Sequence, residues 1–92
     1  MPLIFIVDDL STNRRIYSRL AQSIGANCKV VSFADPASAL AQAEKTMPDL
    51  VIADFKMPLM DGSEMVRALR LLPDGGEVPV IIITVHDDYD FR

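Results

Sequence analysis

Asp54-Phe55-Lys56-Met57-Pro58-Leu59-Met60-Asp61-Gly62 is the stretch on which the fold turns. Leu50-Val51-Ile52-Ala53 precedes it, a short apolar run that reads as a buried strand. Asp54 therefore stands where a strand stops, with its carboxylate at the strand's carboxyl end. In open α/β sheets ligands bind in the crevice outside those ends. Pro58 stiffens the following loop, and Gly62 permits a tight backbone ahead of a helix. An acidic group on a rigid strand tip, followed by a braced loop, suits a positioned nucleophile or a metal ligand.

Working outward, Leu3-Ile4-Phe5-Ile6-Val7 is a continuous apolar run, as a parallel strand covered on both faces requires, and it ends in Asp8-Asp9. Ser11 or Thr12 can cap the next helix, in which Ile16, Leu20 and Ile24 mark an apolar stripe before a stop at Gly25. Residues 28–33 read as a second strand with a polar edge. Asp35-Pro36 is a helix start with a cap and Pro at the first position. Leu40, Ala43 and Met47 then share a face, and Pro48 closes the segment. Residues 61–72 make a third helix with Met65, Leu69 and Leu72 inward. Pro73-Asp74-Gly75-Gly76 is a turn, and Val80-Ile81-Ile82-Ile83 a fourth strand finishing at Thr84. The order β-α-β-α-β-α-β specifies an α/β fold on a parallel sheet.

Ninety-two residues suit one small domain. Half are hydrophobic and 24% charged, which calls for a packed core rather than disorder. A net charge of −4 gives no reason to expect direct nucleic-acid or anionic-membrane binding. A lone cysteine, Cys28, makes no internal disulfide and suits a reducing cytoplasm. The apolar runs are far shorter than the ~20 residues of a membrane span, and the N-terminus lacks a signal-peptide pattern. The expectation is a soluble cytoplasmic domain.

Three strand ends carry polar groups: Asp8 and Asp9 on the first, Asp54 on the third, Thr84 on the fourth. If the first and third strands are neighbours, the carboxylates converge. Clustered like charges are costly unless a cation sits among them, and an all-oxygen donor set with room for water and phosphate describes a Mg²⁺ site. Asp54 is then free to attack phosphorus as a carboxylate nucleophile, with the Thr84 hydroxyl donating to a phosphoryl oxygen. Reversible aspartyl phosphorylation is the chemistry that fits. Singly, each residue has an ordinary use as helix cap, strand end or turn; Met57 and Met60 read as packing under the loop, and His86 as a loop residue.

In order and spacing along the whole chain, Asp8-Asp9, Asp54 with Met57-Pro58 and Met60-Asp61-Gly62, and Thr84 resemble the receiver domain of bacterial two-component response regulators. The resemblance implies a flavodoxin-like, doubly wound parallel sheet in the order 2-1-3-4, continuing to a fifth strand. It implies Asp54 as the acceptor of a phosphoryl group from the phosphohistidine of a sensor histidine kinase or histidine phosphotransfer protein. Asp9 and Asp54 would hold Mg²⁺ directly, Asp8 partly through water, and the backbone carbonyl of Lys56 would complete the set. Thr84 would bind the phosphoryl group and move inward, coupling modification to a conformational switch. Such a domain is a regulatory phosphoacceptor rather than a turnover enzyme, with an effector domain elsewhere.

The chain departs from that pattern in two ways. The family's phosphoryl-contacting Lys sits on a fifth strand, whereas Lys29, Lys45 and Lys56 lie in other segments and the sequence stops at Arg92. The expectation is a receiver incomplete at the C-terminus, with an open fourth-strand edge and a tendency to homodimerise or exchange strands. Val85 stands where the family usually has a smaller Ala. A pseudo-receiver, an interaction module that is never phosphorylated, is the alternative; it is expected to lack one of Asp9, Asp54 or Thr84. Dehalogenase-like phosphatases carry Asp-x-Asp after the first strand, and here the aspartates are adjacent. The surface near Ile16 and Leu20 is a candidate kinase contact.

Overall fold

The computed structural model describes residues 2–25 and 27–84, in which strands and helices alternate: β1 (Leu3–Val7), α1 (Ser11–Ile24), β2 (Lys29–Phe33), α2 (Pro36–Lys45), β3 (Leu50–Asp54), α3 (Gly62–Leu71) and β4 (Val80–Ile83). The strands pair in parallel in the order β2-β1-β3-β4. Val85 and His86 lie outside the described residues. Among those residues no helix is long and apolar enough to cross a membrane.

The period of two along β1 sends its side chains to opposite faces. Phe5 and Val7 join Val51 and Ala53 of β3 under Ala39 and Ala43 of α2 and Met65 and Leu69 of α3. Ile4 and Ile6 face the other way, toward Ala21 of α1, with Leu50 and Ile52 alongside. One helix thus covers one face and two cover the other, which is why β1 is apolar at every position and β3 at all but its last. Phe5 meets Phe33 of β2 edge to face, with centroids 4.8 Å apart.

Helix α1 departs from the sequence expectation. It starts at Ser11, with Leu10 in the capping position and no side-chain cap, so neither Ser11 nor Thr12 plays that part. Asp8 reaches forward instead, its Oδ1 accepting the Leu10 N–H at 2.9 Å. The apolar stripe has the right period and the wrong face. Ile16, Leu20 and Ile24 are 48%, 59% and 72% exposed, whereas Ala21 is buried and Tyr17 packs beside it. Hydrogen bonds from Asn13 and Arg14 to Asp8 fix this rotation, and Ala21 allows the helix close to the sheet.

The other helices match their signals. Asp35 accepts the Ser38 N–H at 2.7 Å with Pro36 in the first turn. Helix α2 ends at Lys45, so Met47 packs on the core from the following turn rather than from the helix. Asp61 and Glu64 close a reciprocal capping box on α3. Met65 and Leu69 are buried, with Leu72 packed against them from the C-cap.

The turn between α3 and β4 positions the fourth strand tip. Arg70 Nη1 donates to the carbonyls of Gly75 (2.8 Å) and Val78 (2.7 Å), and Asp74 takes a φ of 67°. A Cβ on Gly75 would lie 2.0 Å from the Leu69 carbonyl oxygen, while one on Gly76 meets nothing within 4 Å. Gly75→Ala is therefore expected to destabilise the chain by roughly 2 kcal/mol or more, and Gly76→Ala by less than about 0.5 kcal/mol. Urea unfolding of the two variants checks the contrast; equal losses would refute it.

Candidate functional site

The pairing of β1 with β3 builds the site. Val7 registers with Ala53, so Asp8 emerges beside Asp54 at the carboxyl edge of the sheet. Carboxylate oxygens of Asp8, Asp9 and Asp54 lie within 4.8 Å of one another. The three sit in different surroundings. Asp8 is 1% exposed, the buried charged group of the core; Asp54 is half-buried; Asp9 faces solvent.

A buried carboxylate must be hydrogen-bonded. Asp8 Oδ1 takes the Leu10 N–H at 2.9 Å, and Oδ2 takes the Asn13 amide at 3.2 Å. Arg14 Nη1 donates to the Asp8 backbone carbonyl at 2.8 Å. Burial pushes the Asp54 carboxyl above the ordinary carboxylate range, and the Asp8 charge pushes it further. The backbone N–H of Lys56 works in the opposite direction. Burial also raises the Tyr17 phenol, with Asp8 and then Asp54 adding to it. The edge is thus rich in negative charge, a place where a cation relieves repulsion.

The loop after Asp54 is held at several points. Phe55 donates to the Ile83 carbonyl (3.1 Å) and accepts from Gly62 N–H (2.7 Å), tying β3, β4 and α3 together. A Cβ at Gly62 would come within 3.0 Å of the Asp54 carbonyl oxygen and 3.1 Å of the Phe55 Cα, so glycine is what lets α3 start against the strand tip. Met57 is buried and Met60 packs on the same core, as expected. Met60 N–H returns to the Pro58 carbonyl at 2.8 Å around Leu59, whose φ of 71° makes a strained γ-turn. Asp61 is occupied by the α3 cap: the Glu64 N–H and the Ser63 hydroxyl hold its carboxyl below the usual range.

Lys56 is exposed two residues after Asp54. Thr84 follows Ile83, the register partner of Asp54, and is exposed at the adjoining tip. Asn13, Arg14 and Tyr17 escaped the sequence reading. Their signal was their spacing: one to two turns into a helix that starts three residues after Asp8.

A family model, the response regulator receiver domain, matches residues 4–92. The cyclic di-GMP phosphodiesterase response regulator RpfG of Xanthomonas campestris is 39% identical over 89 residues, 97% of this chain and 24% of its own length. The response regulator PleD of Caulobacter vibrioides is 38% identical over 91% of the chain and 18% of its own length. The chain thus spans about a quarter or less of these relatives. Among solved structures, the chemotaxis response regulator CheY4 of Vibrio cholerae superposes with a TM-score of 0.84 at 32% identity, over 98% of this chain and 73% of that one. The receiver domain of a sensor histidine kinase from Pseudomonas aeruginosa, which holds a magnesium ion in its active-site cleft, gives 0.81 at 27% identity, over 97% of this chain and 74% of its own.

The raised Asp54 carboxyl has a consequence for stability. An acid raised in the folded state contributes full stability below its unfolded pKa of ~3.9 and loses it as pH rises through the folded value. In metal-free buffer at neutral pH, Asp54→Asn should therefore melt above the parent. The gap should close as pH falls toward 4. A gap unchanged across thermal melts from pH 7 to pH 4 would rule out burial and repulsion as its cause.

Proposed function

The chain belongs to the response regulator receiver domain family, and from that premise we propose that it is a phosphoacceptor module in which Asp54 takes a phosphoryl group from a phosphohistidine. The convergence of Asp8, Asp9 and Asp54 at the sheet edge supports this best. One Asp54 oxygen attacks phosphorus in line, the O–P bond forms as the P–N bond breaks, and the imidazole nitrogen leaves with the electron pair. Water later attacks phosphorus, restoring the carboxylate and releasing inorganic phosphate.

A cation fits the donor set: every group is an oxygen, and among the described residues the Asp8 carboxylate has only uncharged N–H partners. Asp8, Asp9, Asp54 and the Lys56 carbonyl would hold Mg²⁺. Bound there, it supplies the positive charge that lets an anionic carboxylate meet an anionic phosphoryl group. The chain's own residues do the rest. The β1–β3 ladder aims Asp54 outward, the Gly62 contact fixes its backbone, and Met57 under the loop keeps that backbone from yielding. Thr84, one residue past the Asp54 register partner, would donate its hydroxyl to a phosphoryl oxygen and couple modification to a switch.

The donor is a sensor histidine kinase or phosphotransfer protein, and the response passes to an effector domain. The exposed ridge Ile16-Leu20-Ile24 is the proposed docking face, since a monomer seldom presents large aliphatics in a row without a partner.

Two measurements bear on this. Beryllium fluoride, a phosphoryl mimic, should bind saturably in the presence of Mg²⁺ and shift the amide resonances of Asp9, Phe55 and Thr84, and Asp54→Asn should abolish binding. A folded parent chain that binds none would overturn the phosphoacceptor assignment in favour of an interaction module. Separately, Ile16→Glu with Leu20→Glu should slow phosphotransfer from a histidine kinase about tenfold or more, the scale of a lost interface anchor. Beryllium fluoride affinity should be unchanged; an unaltered transfer rate would exclude the ridge.

A further inference from the structure

We propose that Asn13 is a positioning residue of the acidic site: its uncharged amide orients the Asp8 carboxylate without neutralising it, and so sets the affinity for a divalent cation. This rests on the cation-assisted reading above. Asp8 is nearly inaccessible, and both of its oxygens are engaged by dipoles, Leu10 N–H on Oδ1 and the Asn13 amide on Oδ2. A carboxylate offers about four acceptor sites, so these two bonds fix its plane and leave lone pairs for a further partner.

The neighbouring positive charge is kept off that carboxylate. Arg14 follows Asn13 directly, yet its guanidinium donates to the Asp8 backbone carbonyl. Had the two side chains exchanged places, a full charge would sit on the Asp8 oxygens. An arginine–carboxylate pair is strong and often bidentate, and would cancel the field that draws a metal ion. The amide holds the donor in place; the arginine holds the backbone beneath it. Groups hydrogen-bonded to metal ligands typically govern affinity by 10–100-fold through orientation and basicity.

The test is a MgCl₂ titration of the 92-residue chain, read by the amide shifts of Asp9, Phe55 and Lys56, alongside thermal melts without metal. The parent should bind saturably. Asn13→Leu, close in shape, should raise Kd about tenfold. Asn13→Lys should raise Kd at least as much while its metal-free melting temperature holds or rises, because an ammonium then relieves the carboxylate repulsion. That opposition of affinity and stability separates positioning from a merely structural role, in which melting and binding fall together. If Asn13→Leu does not fold, Asn13→Lys alone decides. A parent that binds Mg²⁺ with variants of unchanged Kd overturns the role of Asn13 and leaves the cation reading standing. A parent that binds no Mg²⁺ overturns both.

Discussion

Three carboxylates are held together here by a force that has nothing to do with them. The hydrogen-bonded register of β1 against β3 places Asp8 beside Asp54, and Asp9 follows. At 4.8 Å and an effective dielectric constant near 20, the Asp8–Asp54 pair repels by roughly 3.5 kcal/mol, while the pairs that include the exposed Asp9 are weakened by solvent screening. Burying Phe5, Ile6 and Val7 stabilises the same strand by roughly 1.5–3 kcal/mol per side chain. The apolar strands therefore win, and the charge cluster is carried to the sheet edge as a consequence of core formation. The strain remains where a cation or a proton can relieve it.

The three acids are unequal because the backbone around them is unequal. Asp8 closes the central strand and is roofed by the first turn of α1, so it is buried and bonded on both oxygens. Asp9 points to water from the bend that follows. Asp54 lies between these extremes, pushed toward the protonated form by burial and by Asp8. Its loop is rigid where a flexible one would let the carboxylate retreat: Gly62 abuts the Asp54 carbonyl, the γ-turn at Leu59 stores strain, and the Asp61–Glu64 box anchors α3. Strain at such a position persists only when the surroundings over-determine it.

Most of the architecture was legible from residues alone. Continuous apolar runs ending in Asp marked β1 and β3, and the strand order 2-1-3-4 followed from the resemblance and is what the sheet has. Asp35-Pro36 marked the start of α2. What could not be read was the rotation of α1. Its leucine and isoleucines at a spacing of four satisfy the helical period as well as Asn13, Tyr17 and Ala21 do, and hydropathy prefers the wrong set. The deciding bonds, from Asn13 and Arg14 to Asp8, are tertiary and polar, and no periodicity encodes them. The cap of α1 was unreadable for the same reason: the helix starts at Ser11 with no side-chain cap, and the Asp8 carboxylate holds the N–H of Leu10, the residue in the capping position.

That rotation ties two parts of the molecule that look independent. A helix advances about 100° per residue, so a slip of one position would bring the Ile16-Leu20-Ile24 ridge toward the sheet's flank and carry Tyr17 and Ala21 away from it. Hydrophobicity alone favours such a slip, since it would bury large aliphatics now exposed. Opposing it are two hydrogen bonds to Asp8, one from the Asn13 amide to the buried carboxylate and one from the Arg14 guanidinium to the backbone carbonyl, each worth roughly 1 kcal/mol or more because one partner is charged, and the closeness that Ala21 permits. The residue that completes the acidic cluster is therefore also the residue that keeps an apolar ridge facing outward, one helix away from Asp54. A partner that reads the ridge would meet Asp54 at a fixed displacement, because both are referenced to Asp8.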